Sequence, residues 1–468
     1  MLTHRLAMLG VLLLGAVTVV LAASGFLPNL FPFQDPTGLL ETFSTTGSVN
    51  LTGPFFQTLG TNGRSCGTCH QAGDAWTVSA ADVAARFDAT DGLDPIFRPN
   101  DGSNCDNLDT STVDARRQAY SLLISRGLIR IFLPVPAGAE FTVVSVNNPY
   151  GCNDTTTLSM YRRPLPSTNL RFLSTLMWDG RESSPQTGTL KITDIGSLQS
   201  DLMHQSVDAT LGHAQATPPG PTSQQQQQIM SFEMALSTAQ AIDTVAETLS
   251  SDGATGGPVT LVSQNFFIGI NDPLGQNPTG AQFNPVIFTL FNQSWVNAAT
   301  KSTTQAARAS ILRGQTLFNS RPISIDNVAG INSKYDTFGL PSPFQGFCGT
   351  CHDTFNVGNH SVSAPLNIGV ADNNSLGVDY LPKITLRNKT TGEETTTTDP
   401  GRALITGKWA DISKFKGPIL RGLAARAPYF HNGSAAGLAE VIKFYNVRFS
   451  MGLTDAEQAD LVAFLSVL

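Results

Sequence analysis

Apolar positions along this chain follow three rhythms. The first is an unbroken run, LAMLGVLLLGAVTVVLAA, 18 residues without a charge after Arg5. It predicts a secretory signal peptide over 1–22, with small residues for cleavage before Ala23; a run of that length also just spans a bilayer, so a retained anchor is the rival. The second rhythm is helical. AADVAARF, Ala80 to Phe87, reads as a helix. Met230, Met234 and Ile242 recur on roughly helical spacing and predict a long helix over 223–249, capped by Ser223, with the glutamines at 224–228 as a solvated first turn. Ser302 with Gln305 has capping-box spacing before a helix through Ile311, Leu312 and Leu317. Thr454 with Glu457 opens a last helix carrying Leu461, Val462, Phe464 and Leu465. The third rhythm is β-type: IRIFLPVP and EFTVVSV, inside 106–160, predict a hairpin-like insertion. Residues 251–300 read as an irregular connection whose Phe266, Phe267, Phe288, Phe291 and Trp295 need burial. TTGEETTTTDP, 390–400, reads as a polar surface loop. The sum predicts a mainly α fold with loop-rich and short β insertions.

A chain of 468 residues is too long for one core, so two domains are expected, at 36–300 and 301–468. The net charge of −7, with no long Lys/Arg run, excludes nucleic acid as a partner. Export would place the chain in an oxidising, periplasmic or other extracytoplasmic space. Membrane contact is then expected only if the N-terminal segment stays uncleaved.

Cysteine usage changes the picture most. The pentapeptide Cys-Gly-Thr-Cys-His occurs twice, as Cys66–His70 and Cys348–His352. A closed zinc site needs four ligands, and each copy offers at most three crowded ones. A thioredoxin-like pair does not require the histidine. A c-type haem uses every residue: Cys66 and Cys69, or Cys348 and Cys351, add to the vinyl groups, and His70 or His352 ligates the iron. Two covalent haems are therefore expected. Cys105 and Cys152 remain, in polar, turn-rich sequence, and read as a disulfide.

Three further stretches carry a resemblance. FKGPILRGLAARAPYFHNGSAAGLAEVIKFYN (Phe415 to Asn446), LNIGV (366–370) and MWDGRE (Met177 to Glu182) resemble segments of the bacterial di-haem cytochrome c peroxidases and their MauG-like relatives. The likeness covers the C-terminal 165 residues well and the first 300 patchily. It implies two cytochrome-c-like domains with one haem each. The N-terminal haem would be the reactive one, and the C-terminal haem would take electrons from a small cytochrome or cupredoxin. Trp178 would relay between them, and hydrogen peroxide would be the substrate. Calcium between the domains is left open.

The sequence departs from the family at the distal positions. The family's Asn-Pro-x-Glu-Met segment, whose Glu assists O–O cleavage, is absent. His213 and His204 stand at a comparable distance, each a sixth ligand, a distal acid–base group or a surface residue. At the second haem, Leu438, Val441, Ile442 and Tyr445 share one helical face, so Tyr445 points inward; Met451 is the thioether alternative. His360, in VGNHS, reads as a ligand or a loop residue, with the loop preferred, and His431 as a hydrogen-bonding group at the domain interface. The expected function is a di-haem peroxidase. The rivals are a pure electron carrier with both irons six-coordinate, and a MauG-like oxidase of protein side chains.

Overall fold

The computed structural model describes residues 25–183, 195–336, 340–375 and 377–468. The expected signal peptide lies outside them. Among the described residues no helix is long and apolar enough to cross a membrane.

The expectation of a mainly α fold is corrected. Among the described residues helix accounts for 30% and strand for 17%, and the strands form five small antiparallel sheets. The largest places Gly38–Ser44 against Leu236–Asp243, with Phe33–Gln34 and Glu247–Thr248 at its edges. The long helix expected over 223–249 therefore stops at Ala235. LSTAQAID is buried along most of its length and pairs with a strand about two hundred residues earlier, so its apolar spacing belongs to a two-sided strand. Thr222, not Ser223, caps the helix, and the Gln225 side chain completes the box.

The hairpin-like insertion is corrected too. Ile129–Pro134 pairs with Thr157–Arg162, whereas Phe141–Asn147 pairs with Lys383–Asn388. Glu394–Thr397, expected as loop, adds a third strand beside Lys383–Asn388, and Thr398 and Asp399 are buried. Phe141, Leu158, Met160, Ile384, Leu386 and Trp409 close one core between these strands, so sequence-distant halves interlock. The disulfide Cys105–Cys152 is formed, with its Cα atoms 5.8 Å apart.

The C-terminal helices match the pattern. Asp455–Leu465 carries the Thr454/Glu457 capping box. Ser302–Ser320 forms, but Lys301 sits at its N-cap without a side-chain bond, so the Ser302/Gln305 box does not. The two helices cross so closely that a Cβ at Gly314 would lie 2.0 Å from the Asp460 carbonyl oxygen. Phe318 and Phe464 pack across that contact with Phe288, Phe291 and Trp295, which are buried as expected, whereas Phe266 and Phe267 are only partly buried and Phe266 packs on a different cluster, beside Phe172.

Candidate haem-binding site

The two pentapeptides fold alike. Cys66–Thr68 and Cys348–Thr350 each form one 3-10 turn. In each, the threonine hydroxyl accepts from the backbone N–H three residues earlier, at 3.0 Å. The histidine N–H donates to the first cysteine's carbonyl, at 3.0 Å for His70 and 3.1 Å for His352. The glycine between is required by packing: a Cβ at Gly67 or Gly349 would lie 2.6 Å from Phe56 or Ile287.

The histidine rings are held alike as well. Nδ1 of His70 lies 2.9 Å from the Trp76 carbonyl, and Nδ1 of His352 lies 2.6 Å from that of Gly358. A carbonyl only accepts, so the proton sits on Nδ1 and the Nε2 lone pair is left for a metal. Burial pulls both imidazoles down to about 4, so they are neutral at pH 7.

Each pentapeptide opens on its own cavity. The four thiols face this internal space and are partly buried. Burial pushes Cys66, Cys348 and Cys351 up to about 12 and raises Cys69. A reactive redox pair needs the opposite shift. Arg163 and Lys416 line both cavities. Burial first, and then Arg426, pulls Lys416 down to about 8 and Arg163 to about 9. Among the described residues the Arg163 guanidinium donates to the carbonyls of Arg126, Val78 and Arg426. Apolar walls, paired thiols, an imidazole lone pair and buried cations in want of anions fit a haem with its two carboxylates.

Trp178 also lines both cavities. A tight turn presents it: Met177 takes a left-handed φ of 62°, Gly180 N–H donates to the Met177 carbonyl, and Leu176 bridges Glu182. The indole N–H donates to the Arg163 carbonyl at 2.8 Å, and the ring stands edge-on to His431 at 6.1 Å. His431 stacks on Phe415 at 3.9 Å between centroids, and its Nε2 has no hydrogen-bond partner. The expected hydrogen bonding at His431 is made by its backbone, whose carbonyl accepts from the Arg163 N–H at 2.7 Å, while the ring stacks beside Trp178.

His213 lines the first cavity with His70, and its Nδ1 is hydrogen-bonded to Asp101, which also pairs with Arg64. Burial alone would raise Asp101; Arg64 and His213 outweigh it and hold the carboxylate below its ordinary range. His204 is not among the lining residues. Its side chain is 48% exposed and is bonded to Glu182. Tyr445 and Met451 both line the second cavity, with Leu438, Val441 and Ile442 on the expected face. Burial raises Tyr445 above the usual phenol range. His360 lies outside both linings.

The sequence reading missed Glu233. It lines the first cavity, is 4% exposed, and interacts with Ser167, whose hydroxyl lies 3.0 Å from Nδ1 of His70. Its spacing after Ile229 and Met230, both buried, was the available signal. Burial pushes its carboxyl up to about 8 from 4.5. The folded pKa lies above the unfolded one, so this contribution is full below about 4.5 and is lost as pH rises through about 8. Glu233→Gln is expected to flatten the fall of stability across that window, whose slope is at most about 1.4 kcal/mol per pH unit for one proton. Denaturation midpoints measured against pH check this; an unchanged slope counts against it.

No family model matches the chain. Among curated proteins, a stretch of 120 residues is 35% identical to cytochrome-c peroxidase IdrP1 of Denitromonas iodatirespirans, covering 22% of this chain and 32% of that protein. Another of 78 residues is 41% identical to IdrP2 of the same organism, covering 15% and 21%. A third of 76 residues is 36% identical to the cytochrome c551 peroxidase of Nitrosomonas europaea, covering 16% and 23%. The matched stretch is thus between about a fifth and a third of each relative's length. A solved MauG-like protein associated with microbial copper homeostasis aligns over 88% of this chain and 85% of its own at 15% identity, with a TM-score of 0.33, too distant to bear on the fold. The curated relatives bear out the resemblance to bacterial cytochrome c peroxidases read from the motifs, and with it haem as the cofactor.

Proposed function

We propose that this chain is an exported two-haem cytochrome that reduces hydrogen peroxide at the first cavity with electrons taken in at the second. The observation that carries the reading is the meeting of two pentapeptide cavities at one indole, Trp178. Cys66, Cys69 and His70 would hold one haem, and Cys348, Cys351 and His352 the other. A haem so held supplies an iron that changes oxidation state and accepts a sixth ligand.

The chain's own residues do the rest. Reduction of peroxide to two waters consumes two electrons and two protons. His213, anchored through Nδ1 by Asp101, has Nε2 available to carry a proton or to ligate metal. Trp178 offers a π system between the two sites, fixed by its bond to the Arg163 carbonyl. Arg163 and Lys416 supply positive charge at the junction. At the second cavity Tyr445 and Met451 are the side chains that would offer a phenolic oxygen or a thioether to a haem held by Cys348, Cys351 and His352. The electrons would come from a small cytochrome or cupredoxin.

The Asp101 brace favours a second reading. A histidine so held is also a good iron ligand. Were the first iron closed by His213, the protein would be an electron carrier. Carbon monoxide added to the dithionite-reduced holoprotein decides between them: a spectral shift in about half the haem supports the peroxidase, and no shift supports the carrier. Trp178→Phe is expected to slow peroxide turnover about tenfold or more, equivalent to roughly 1.4 kcal/mol in barrier, with haem content and the carbon monoxide shift unchanged. Turnover equal to wild type would remove Trp178 from the path.

A further inference from the structure

Nine residues past Cys351, outside both cavities, three buried side chains converge without touching. Nε2 of His360 lies 3.6 Å from Oδ2 of Asp353 and 3.7 Å from Oδ1 of Asp272. The imidazole is 2% exposed and both carboxylates are fully buried. Neither ring nitrogen of His360, nor Oδ1 of Asp272, makes a hydrogen bond of good geometry; the Asp272 carboxylate and the Ala364 backbone approach the imidazole without closing on it. From these observations we infer a metal site: Asp272, Asp353 and His360 bind a divalent first-row transition ion such as zinc.

Spacing alone does not set this cluster apart: Arg162–Asp399 and His204–Glu182 close to 2.7 Å, but Lys414–Asp336 and His431–Asp399 stand at 3.7 and 3.9 Å. What sets it apart is that three buried donors converge on one point with the facing atoms of His360 and Asp272 unpartnered. Donors about 2.0–2.2 Å from a tetrahedral ion sit roughly 3.3–3.6 Å from one another. The carboxylates are also pre-oriented. The Leu274 and Gln276 N–H groups donate to Oδ2 of Asp272, at 3.0 and 2.7 Å, which leaves Oδ1 for the ion. The Ser361 N–H and hydroxyl donate to the two oxygens of Asp353, at 2.6 and 3.0 Å. Partners of this kind fix first ligands in known sites. Calcium is disfavoured because it takes six to eight oxygens, whereas one imidazole and two carboxylates suit a borderline ion with an open fourth position.

The ion would join the loop after the second pentapeptide to the 269–276 turn. That loop contains Gly358, whose carbonyl orients His352. The site is therefore a clamp on the surroundings of the second cavity, and its existence does not depend on the haem reading.

The test uses the full-length, haem-loaded protein, stripped with a chelator and titrated with zinc. One zinc per chain beyond haem iron is expected, together with a zinc-dependent rise in thermal midpoint. Asp272→Asn and His360→Gln are each expected to weaken binding about a hundredfold or more, beyond what loss of an outer hydrogen-bond partner produces. His204→Ala, in the group formed by buried Glu182 with exposed His204 and Asp208, is expected to leave binding intact. Haem content and circular dichroism report whether each variant folds. No zinc uptake by wild type at micromolar concentration overturns the inference, as does loss of binding in His204→Ala alone.

Discussion

Replacing Cys66 and Cys69 together by alanine is expected to reduce the covalent haem from two per chain to one and to abolish peroxide reduction. The reasoning is geometric. The first pentapeptide opens on a cavity walled by Ile229, Leu170 and Leu173, and the second on one walled by Leu366, Ile442 and Leu465. Each cradle is closed by its own glycine contact and its own histidine–carbonyl bond. Loss of one thioether pair leaves the other turn intact. His70 alone offers coordination without a covalent tether. The carbon monoxide shift should vanish with Cys66→Ala/Cys69→Ala and persist with Cys348→Ala/Cys351→Ala, which keeps the first haem but starves it of electrons. Haem stoichiometry by mass and the reduced spectrum read both variants. Two covalent haems surviving in either one, or a carbon monoxide shift that follows the second pentapeptide, would sink the assignment of roles.

The two pentapeptides were legible because their chemistry fixes residue type and spacing at once. The face carrying Tyr445 was legible because helix Leu438–Arg448 is local and its periodicity survives in the fold. Three features were hidden, each for a physical reason. Leu236–Asp243 passes for helix until its partner Gly38–Ser44 is known. The apolar spacing of EFTVVSV announces a strand but not that it pairs with Lys383–Asn388 across the chain. Asp399 sits in a threonine-rich stretch that looks like solvated loop, and only its burial beside Arg162 shows that it is structural. His360 is the reverse case. The sequence marks it as a loop residue, which it is, but its ring converges on two aspartates that sequence distance cannot place.

Arg162→Met is expected to cost about 3–5 kcal/mol of stability at neutral pH, the loss typical of breaking a buried ion pair. Arg162 lies between Asp179 of the WDGR turn and Asp399, binding Asp399 through two nitrogens at 2.7 and 2.9 Å. All three side chains are almost fully buried. In the variant Asp179 keeps Arg181, 2.9 Å away, and Asp399 keeps the Gly401 N–H, 2.8 Å away, but the charge between them is gone. The expected pH dependence has a definite sign. Burial would raise Asp179; Arg181 and Arg162 outweigh it and hold its pKa well below the carboxylate range. A depressed folded pKa lends stability above the unfolded value, about 3.9, and loses it as pH falls through the folded one. The gap between wild type and Arg162→Met should therefore narrow as pH drops below about 4. Urea denaturation followed by circular dichroism at neutral and acidic pH measures both quantities. Arg162→Met/Asp399→Leu should recover part of the loss, because a buried carboxylate without its partner costs more than an apolar contact. A neutral-pH loss below about 1 kcal/mol, the size of an exposed pair, would mean that water reaches this network. The turn presenting Trp178 would then owe its position to backbone bonds alone.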